Sequence, residues 1–257
     1  PAPMLRLLQG DVGCGKTVVA AMALLAAVGA GHQGAFMAPT EVLATQHHRV
    51  LTDLLSQMGD PPKVALLTGS TKTAERAQIL EELNTGKIGI IVGTHALIHE
   101  KVVFNSLGIS VVDEQHRFGV EQRAALLSKG KLPPHMLTMS ATPIPRTLAM
   151  TKFGEMALSV IDEKPAGRLP IITTVCSADG HSVAYDAMCE EVARGGQAYV
   201  ILRLVNESGS SRMSEVKGAE EEYARLVSEY PNVRFGLLHG QLAADEKAAA
   251  LEKFSSG

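Results

Sequence analysis

The sequence predicts an α/β protein of two tandem units, each a parallel sheet flanked by helices, with the second unit truncated. Short apolar runs alternate with longer segments of helical periodicity. The run GIIVG (89–93) and the two valines that open VVDE (111–114) are apolar, as strands buried on both faces are. The segment Lys164–Pro170 contains two prolines and a glycine. It interrupts the alternation, as a linker between two units does.

Strands and helices alternate along the first unit, which implies crossover connections between parallel strands. The predicted strands are Leu5–Leu8, Gly34–Ala38, Val64–Thr68, Gly89–Val92, Ile109–Val112 and Met136–Ser140. The predicted helices lie near Lys16–Ala30, Glu41–Leu55, Thr73–Asn84, Glu121–Leu127 and Ile144–Lys152.

The alternation resumes after the linker. The further predicted strands are Ile171–Val175, Gln197–Leu204 and Val233–Leu238, and the helices lie near Asp179–Arg194, Ala219–Glu229 and Ala243–Phe254. The polar segment Asn206–Ser214 predicts a surface loop. We therefore expect residues 1–163 to form the first unit, 164–170 the linker and 171–257 a partial second unit.

Composition excludes several classes of protein. Of the 257 residues, 46% are hydrophobic and 20% charged, which is too apolar for a disordered chain. No apolar run approaches the roughly 18 residues that cross a bilayer, so no membrane partner is expected. Three cysteines without close spacing exclude a disulfide scaffold and a cysteine-based zinc site, and they favour a reducing, cytoplasmic setting. With a net charge of −3, any nucleic acid must bind a local strip of donors or another part of the protein.

The strongest motif is GDVGCGKT, which lies between a predicted strand and a predicted helix. It matches the G-x-x-x-x-G-K-[ST] pattern of phosphate-binding loops. Backbone N–H groups of such a loop close around phosphate oxygens, and the following helix presents its positive end to them. Lys16 can reach the outer phosphates, and the Thr17 hydroxyl can hold Mg²⁺. The predicted nucleotide-binding residues are Gly10, Asp11, Val12, Gly13, Cys14, Gly15, Lys16 and Thr17.

An acidic pair, Asp113 and Glu114, follows the apolar strand ISVV. At the carboxyl end of a parallel strand, such a pair lies in the crevice where ligands bind. Asp113 can hold Mg²⁺ through water, and Glu114 can orient and deprotonate an attacking water. The alternative is a solvated loop, and the position downstream of a phosphate-binding loop favours catalysis. His116 alone is more typical of a surface or packed histidine.

The segment SATP (140–143) also follows a strand. Its hydroxyls can link the nucleotide site to a second site, although the spacing alone favours an ordinary helix cap by Ser140 or Thr142.

Small polar residues end several other predicted strands. Backbone N–H groups and hydroxyls there suit contacts to phosphates as well as they suit turns. The segments are Pro39–Glu41, Thr68–Ser70 and Gly93–His95, with His239–Gly240 as the matching feature of the second unit. The pair His47–His48, on a predicted helix, is interpreted as part of a polar face rather than as a pair of ligands.

In order, these segments resemble the successive motifs of superfamily 2 helicases. The segments are GDVGCGKT, APTEVLATQH, GTHALI, DEQHRFGVEQR, TMSATPIPRTLAM and DEKPAGRLPI. DEQHRFGV followed by SATPIPRTLA is narrower and is similar to the RecG family of branched-DNA helicases. It resembles the transcription-repair coupling factor Mfd less closely, because Mfd-like chains tend to read DEEHRFGV where this chain has Gln115.

The resemblance implies two RecA-like P-loop NTPase lobes that clamp ATP and move on duplex DNA, remodelling stalled forks and Holliday junctions. It implies that Lys16, Asp113, Glu114 and His116 are catalytic, and that Thr17 and Asp113 hold Mg²⁺. It assigns the coupling of hydrolysis to movement to Ser140, Ala141 and Thr142. It assigns DNA-backbone contacts to Pro39, Thr40, Gly93, Thr94, His95, His239 and Gly240. It also implies a bacterial cytoplasmic, nucleoid-associated location, with single-strand-binding protein as a partner of the parent.

We expect the family's wedge domain and its later second-lobe motifs, including the arginine finger, to lie outside this sequence. We therefore expect a fragment of a RecG helicase that turns over ATP weakly or not at all by itself. A nucleotide-binding module without independent turnover and the motor region of an Mfd-like translocase are the alternatives. A small-molecule P-loop kinase shares GDVGCGKT but explains neither the SATP segment nor the second unit.

Overall fold

The computed structural model describes residues 2–114, 125–130, 132–142, 156–163, 169–177, 181–202 and 212–256. The chain forms two compact units, residues 1–169 and residues 170–257. Within these described ranges, none of the helices combines the length and the apolar character that crossing a bilayer requires.

A seven-stranded parallel sheet forms the centre of the first unit. Its strands are β1 (Leu5–Gly10), β2 (Gln33–Met37), β3 (Val64–Leu67), β4 (Ile90–Gly93), β5 (Leu107–Val112), β6 (His135–Ser140) and β7 (Ala157–Ile161). Their order across the sheet is β3-β4-β2-β5-β6-β1-β7, and every neighbouring pair is parallel. The predicted α/β class with a parallel sheet is confirmed.

Helices cover both faces of this sheet. They are α1 (Lys16–Gly29), α2 (Glu41–Leu55), α3 (Thr73–Asn84) and a short 3₁₀ helix (His95–Ile98). Successive residues of β2 point to opposite faces and join two separate apolar clusters. Phe36 packs with Leu24 of α1 and Leu51 of α2, whereas Met37 packs with Leu83 of α3 and residues of the 3₁₀ helix. The sheet is therefore buried on both sides, as the apolar runs predicted.

The strand register brings the carboxyl ends of the strands to one edge. Gln9 of β1 lies opposite Ser140 of β6. Met37 of β2 lies opposite both Val112 of β5 and Gly93 of β4. The segments that follow these strands therefore emerge along one edge, where ligands bind in open parallel sheets.

The edge strand β7 was not predicted. It pairs with β1 alone among the described strands, and none of its residues is fully buried. Its sequence, ALSVI, is largely apolar, so the missing information was not the residue pattern but the pairing with β1. Of the predicted helix Glu121–Leu127, only residues 125–127 are described, and they are helical. The predicted helix Ile144–Lys152 lies outside the described residues.

The second unit contains three described helices: α4 (His181–Ala193), α5 (Arg212–Glu229) and α6 (Ala244–Ser256). They confirm the three helices predicted there. Helix α5 begins seven residues earlier than predicted and takes in the end of the predicted loop Asn206–Ser214. The polar residues there suggested a loop, although Arg, Met, Glu and Lys are all good helix formers.

An aromatic and charged cluster joins α4 to α5. The Tyr185 hydroxyl donates to Glu222 at 2.7 Å, and the Arg225 guanidinium lies 5.2 Å from the centre of the Tyr185 ring. Arg225 also pairs with Glu222 and Glu229. Burial, followed by the hydrogen bond to Glu222, raises the pKa of the Tyr185 phenol. The contact is a polar tie between two helices.

The structure assigns no strand to the described residues of the three segments predicted as strands in the second unit, 171–175, 197–202 and 233–238. Apolar residues there are exposed, for example Ile172 at 91% and Ile201 at 89%. A β-branched apolar run predicts an extended backbone, but a strand also needs a neighbour for its ladder of hydrogen bonds. The sequence pattern carries no information on that neighbour.

Candidate functional site

The phosphate-binding loop lies where the motif predicted it, between β1 and α1. Gly13 and Gly15 have φ angles of 79° and 98°, in the left-handed region that glycine adopts without strain. Gly15 is also the residue immediately before α1. A Cβ atom at Gly10 would lie 2.5 Å from the Cys14 sulfur. Gly13 and Gly15 thus supply the left-handed backbone of the loop, and Gly10 leaves room for the Cys14 side chain.

The Lys16 side chain folds back over this loop. Its Nζ donates to the carbonyl oxygens of Gly10 and Asp11, both at 2.7 Å, and lies 3.9 Å from the Cys14 sulfur. Thr17 follows in the first turn of α1. The ammonium group thus lies at the mouth of the loop, where phosphate oxygens can replace the two carbonyls as charged and stronger acceptors.

The acidic pair follows β5 at the same edge. Asp113 is buried, and its backbone N–H donates to the Met37 carbonyl at 2.9 Å. Glu114 has a φ angle of 51°, a left-handed conformation that is unusual for a residue with a side chain. Such strain is concentrated at functional sites. The other predicted member of this motif, His116, lies outside the described residues.

His47 is a site residue that the sequence interpretation missed. Its Nε2 lies 2.9 Å from Oδ2 of Asp113, and the two side chains are only 13% and 11% exposed. The interpretation of His47 as part of a polar face is therefore wrong. The sequence did hold a signal, because His47 falls at helical spacing between Ala44 and Leu51, two buried residues of α2.

The SAT segment forms a tight polar turn after β6. Ser140 is buried, and its hydroxyl lies 3.0 Å from the Thr142 hydroxyl. The Thr142 backbone N–H donates to the same Ser140 oxygen at 3.2 Å. The described residues thus show a local turn. The helix that Ser140 or Thr142 was expected to cap lies outside them. Ala141 lies between the two hydroxyl residues.

The predicted DNA-contact residues of the first unit differ in exposure. Thr40 is exposed and caps α2 by accepting the Leu43 N–H at 3.3 Å. Thr94 is buried and accepts the Ala96 N–H at 3.5 Å. His95 is exposed, Pro39 is partly buried, and Gly93 packs against the Leu67 carbonyl of β3.

Glu41, the first residue of α2, ties the loop after β3 to the start of that helix. Its carboxylate accepts the Ser70 backbone N–H at 3.2 Å and the Ser70 hydroxyl at 2.8 Å. The Thr68 and Ser70 hydroxyls lie 2.9 Å apart. The loop after β3 is therefore held beside the start of α2, and both carry hydroxyl donors on the same edge.

His239 and Gly240 lie in the second unit, shortly before α6. Lys247 of α6 donates to the Gly240 carbonyl at 2.8 Å. The buried Nδ1 of His239 has no hydrogen-bond partner within the part of the chain that the structure describes. The hydrogen bond from Lys247 holds the His239–Gly240 loop against helix α6.

The protein oxygens at the nucleotide edge fit Mg²⁺. Magnesium in nucleotide sites is held by one or two protein oxygens together with phosphates and waters. Thr17 offers a hydroxyl and Asp113 a carboxylate, which are hard oxygen donors. No group of three or more His, Cys, Asp or Glu side chains suited to a metal occurs among the described residues. The donor set therefore suits a metal carried in with a nucleotide.

The sequence matches the family model described as "DEAD/DEAH box helicase" over residues 5–151. That match spans more than half of the chain. The chain belongs to this helicase family. Its matched region contains the phosphate-binding loop, the acidic pair and the SAT turn.

Relatives within this helicase family confirm the RecG resemblance. The chain is 52% identical to the ATP-dependent DNA helicase RecG of Synechocystis sp. over 99% of its own length and 30% of the relative's. It is 47% identical to RecG of Aquifex aeolicus over 98% of its length and 31% of the relative's. The solved structure of RecG bound to a three-way DNA junction is 41% identical, with a TM-score of 0.74, over 99% of this chain and 32% of that one. The chain thus spans about a third of the length of the relatives it matches.

Proposed function

We propose that this chain is the motor region of a RecG-type helicase, which couples ATP hydrolysis to remodelling of branched DNA in recombination and repair. The observation that carries the proposal is the convergence of the phosphate-binding loop, the acidic pair and the SAT turn on one edge of one sheet. The similarity to a RecG solved on a three-way DNA junction supports branched DNA as the substrate.

The nucleotide is bound by the loop from Gly10 to Thr17. Its backbone N–H groups and the N-terminal end of α1 receive the phosphates. Lys16 exchanges its two carbonyl acceptors for phosphate oxygens, and Thr17 with Asp113 holds Mg²⁺. When bound, Mg²⁺ neutralises charge that develops on the phosphates.

The two carboxylates of the acidic pair, Asp113 and Glu114, have different proposed roles. Asp113 is fixed by its backbone N–H and by His47, which suits a residue that must present one oxygen in a constant direction. Glu114 follows it with a left-handed backbone. We assign Glu114 the role of orienting and deprotonating the attacking water, with His116 as a further member of the motif.

The proposed nucleotide-binding segments and the proposed DNA-binding segments follow different groups of strands along the edge. Strands β5, β6 and β1 are neighbours, and they lead into the acidic pair, the SAT turn and the phosphate-binding loop. Ser140, Ala141 and Thr142 thus follow the strand between the other two elements. This position supports their proposed role in coupling hydrolysis to movement.

Strands β3, β4 and β2 form the other half of the edge. The proposed DNA contacts Pro39 and Thr40 follow β2, whereas Gly93 ends β4 and Thr94 and His95 follow it. His239 and Gly240 are the proposed contacts of the second unit. Hydroxyls and backbone N–H groups fix the position of a phosphate backbone without reading the base sequence.

Salt dependence tests this DNA edge. Lys72 is exposed and lies directly before α3, beside the Thr68–Ser70 loop. We expect Lys72→Gln to weaken binding of a three-way junction and to reduce the slope of log K against log salt by about 1, because one phosphate contact is lost. The affinity is measured by fluorescence anisotropy from 50 to 200 mM salt.

Lys87→Gln is the matched control. Lys87 is equally exposed but precedes β4, at the opposite edge of the sheet, so its removal should leave the slope unchanged. Equal changes in slope for the two variants would contradict the proposed edge. A slope near zero for the unsubstituted chain would contradict phosphate contacts altogether.

We also propose a location for the protein. Because RecG-type remodelling of forks takes place on bacterial chromosomal DNA, we expect the protein in the cytoplasm at the nucleoid. Single-strand-binding protein is the proposed partner of the full-length protein there.

A further inference from the structure

We propose that His47 is a positioning residue for Asp113: it holds one carboxylate oxygen so that the other faces the Mg²⁺ of a bound nucleotide. The inference rests on the proposed nucleotide site. It adds a residue that none of the phosphate-binding, acidic or SAT segments contains, because His47 belongs to helix α2.

The contact has the geometry of a fixed hydrogen bond. His47 Nε2 lies 2.9 Å from Oδ2 of Asp113, and an ionised carboxylate only accepts, so the imidazole donates. With Oδ2 engaged, rotation of the carboxylate about its Cβ–Cγ bond breaks this bond. The bond therefore selects one orientation, in which Oδ1 is left for the metal or its water.

The histidine is itself held in place from two sides. Its ring packs on Phe36 of β2, with the ring centres 4.5 Å apart. Helix α2 buries Ala44 and Leu51 on the same face. The main chain of Asp113 is tied to the same β2 strand through Met37. Strand β2 therefore aligns both partners of the hydrogen bond.

The His47–Asp113 contact also connects the nucleotide site to the proposed DNA contact at the start of helix α2. The helix is capped by Thr40, a proposed DNA contact, and His47 follows seven residues later. At a rise of 1.5 Å per residue, the two lie about 10 Å apart along one helix. A rigid element thus joins the DNA half of the edge to the carboxylate of the nucleotide half.

A purely structural role predicts a different result from a positioning role. If His47 only fills space beside Phe36, His47→Phe should preserve the function, because it keeps an aromatic ring. If His47 positions Asp113, His47→Phe should fail and His47→Gln should succeed, because glutamine carries an amide N–H at about the reach of Nε2. The two substitutions therefore separate packing from hydrogen bonding.

The test measures binding rather than turnover. Fluorescent ADP is titrated into the chain in EDTA and at increasing Mg²⁺, and metal uptake is followed separately with Mn²⁺ by electron paramagnetic resonance. We expect His47→Phe to raise the Mg²⁺ concentration for half-maximal binding about tenfold, the lower end of the range for groups that orient metal ligands. Affinity for ADP in EDTA should be unchanged, because no metal is then held, and His47→Gln should restore most of the Mg²⁺ response.

His48→Phe is the matched control, because the neighbouring histidine makes no contact with Asp113 among the contacts described. A His47→Phe variant with an unchanged Mg²⁺ response overturns the proposal, as does equal loss in His47→Phe and His48→Phe. If His47→Phe does not fold by circular dichroism, His47→Asn replaces it, because its shorter amide cannot reach Oδ2. Absence of Mg²⁺-dependent ADP binding in the unsubstituted chain would instead contradict the nucleotide site itself.

Discussion

Replacing Lys16 with alanine is expected to abolish measurable ATP binding while leaving the fold intact. The Lys16 ammonium makes two hydrogen bonds of 2.7 Å, both to carbonyls of its own loop, so its loss leaves no distant part of the core unpaired. Bonds from an ammonium to phosphate are charge-assisted and contribute about 1.5–3 kcal/mol each. Losing two of them weakens binding by roughly a hundredfold or more.

Isothermal titration of ATP in the presence of Mg²⁺ measures this effect. Lys87→Ala, at the opposite edge of the sheet, is the control for the loss of one positive charge. Thermal melting followed by circular dichroism shows whether the Lys16 variant still folds. An ATP affinity equal to that of the unsubstituted chain would remove Lys16 from the phosphate site.

Glu114→Gln is expected to bind ATP normally and to hydrolyse it about 10²–10⁴-fold more slowly. Glutamine has the size and shape of glutamate, so the left-handed backbone at Glu114, with φ of 51°, is under the same strain. The amide cannot take a proton from the attacking water, whereas the phosphate-binding loop and Asp113 are unchanged. The expected signature is therefore a fall in kcat with little change in nucleotide affinity.

This loss is measured as the steady-state rate of ATP hydrolysis with branched DNA. The protein used has the full length of the RecG relatives. Glu81→Gln is a matched control, because the same chemical change is made at an exposed carboxylate near the end of α3, away from the proposed nucleotide and DNA contacts. An unaltered turnover rate in the Glu114 variant would show that another group activates the water.

Much of the first unit could be predicted because its local signals agree with its packing. Helix α2 was predicted with its observed bounds, since Thr40 is a capping residue and the apolar spacing continues to Leu55. The central strands were found because both of their faces are buried. The phosphate-binding loop was found because its pattern is local, and Gly15, one of the fixed positions, has a φ angle that other residues rarely adopt.

The errors share a physical cause, which is that they depend on partners distant in sequence. His47 and Asp113 are 66 residues apart, and no local pattern reports their hydrogen bond. Strand β7 is largely apolar, but its pairing is with β1, whose partner residues lie 151 positions earlier in the chain. In the second unit, the apolar runs predicted strands, but their described residues have no sheet neighbour.

We expect a Mg²⁺-bound nucleotide to lie on the carboxyl edge of the first unit's sheet. A crystal structure of the chain with ADP, beryllium fluoride and Mg²⁺ tests it most directly. We expect the phosphates inside the Gly10–Thr17 loop, with the Lys16 ammonium moved from the Gly10 and Asp11 carbonyls onto them. A nucleotide bound elsewhere, or Lys16 still bonded to both carbonyls beside a bound nucleotide, would contradict the claim.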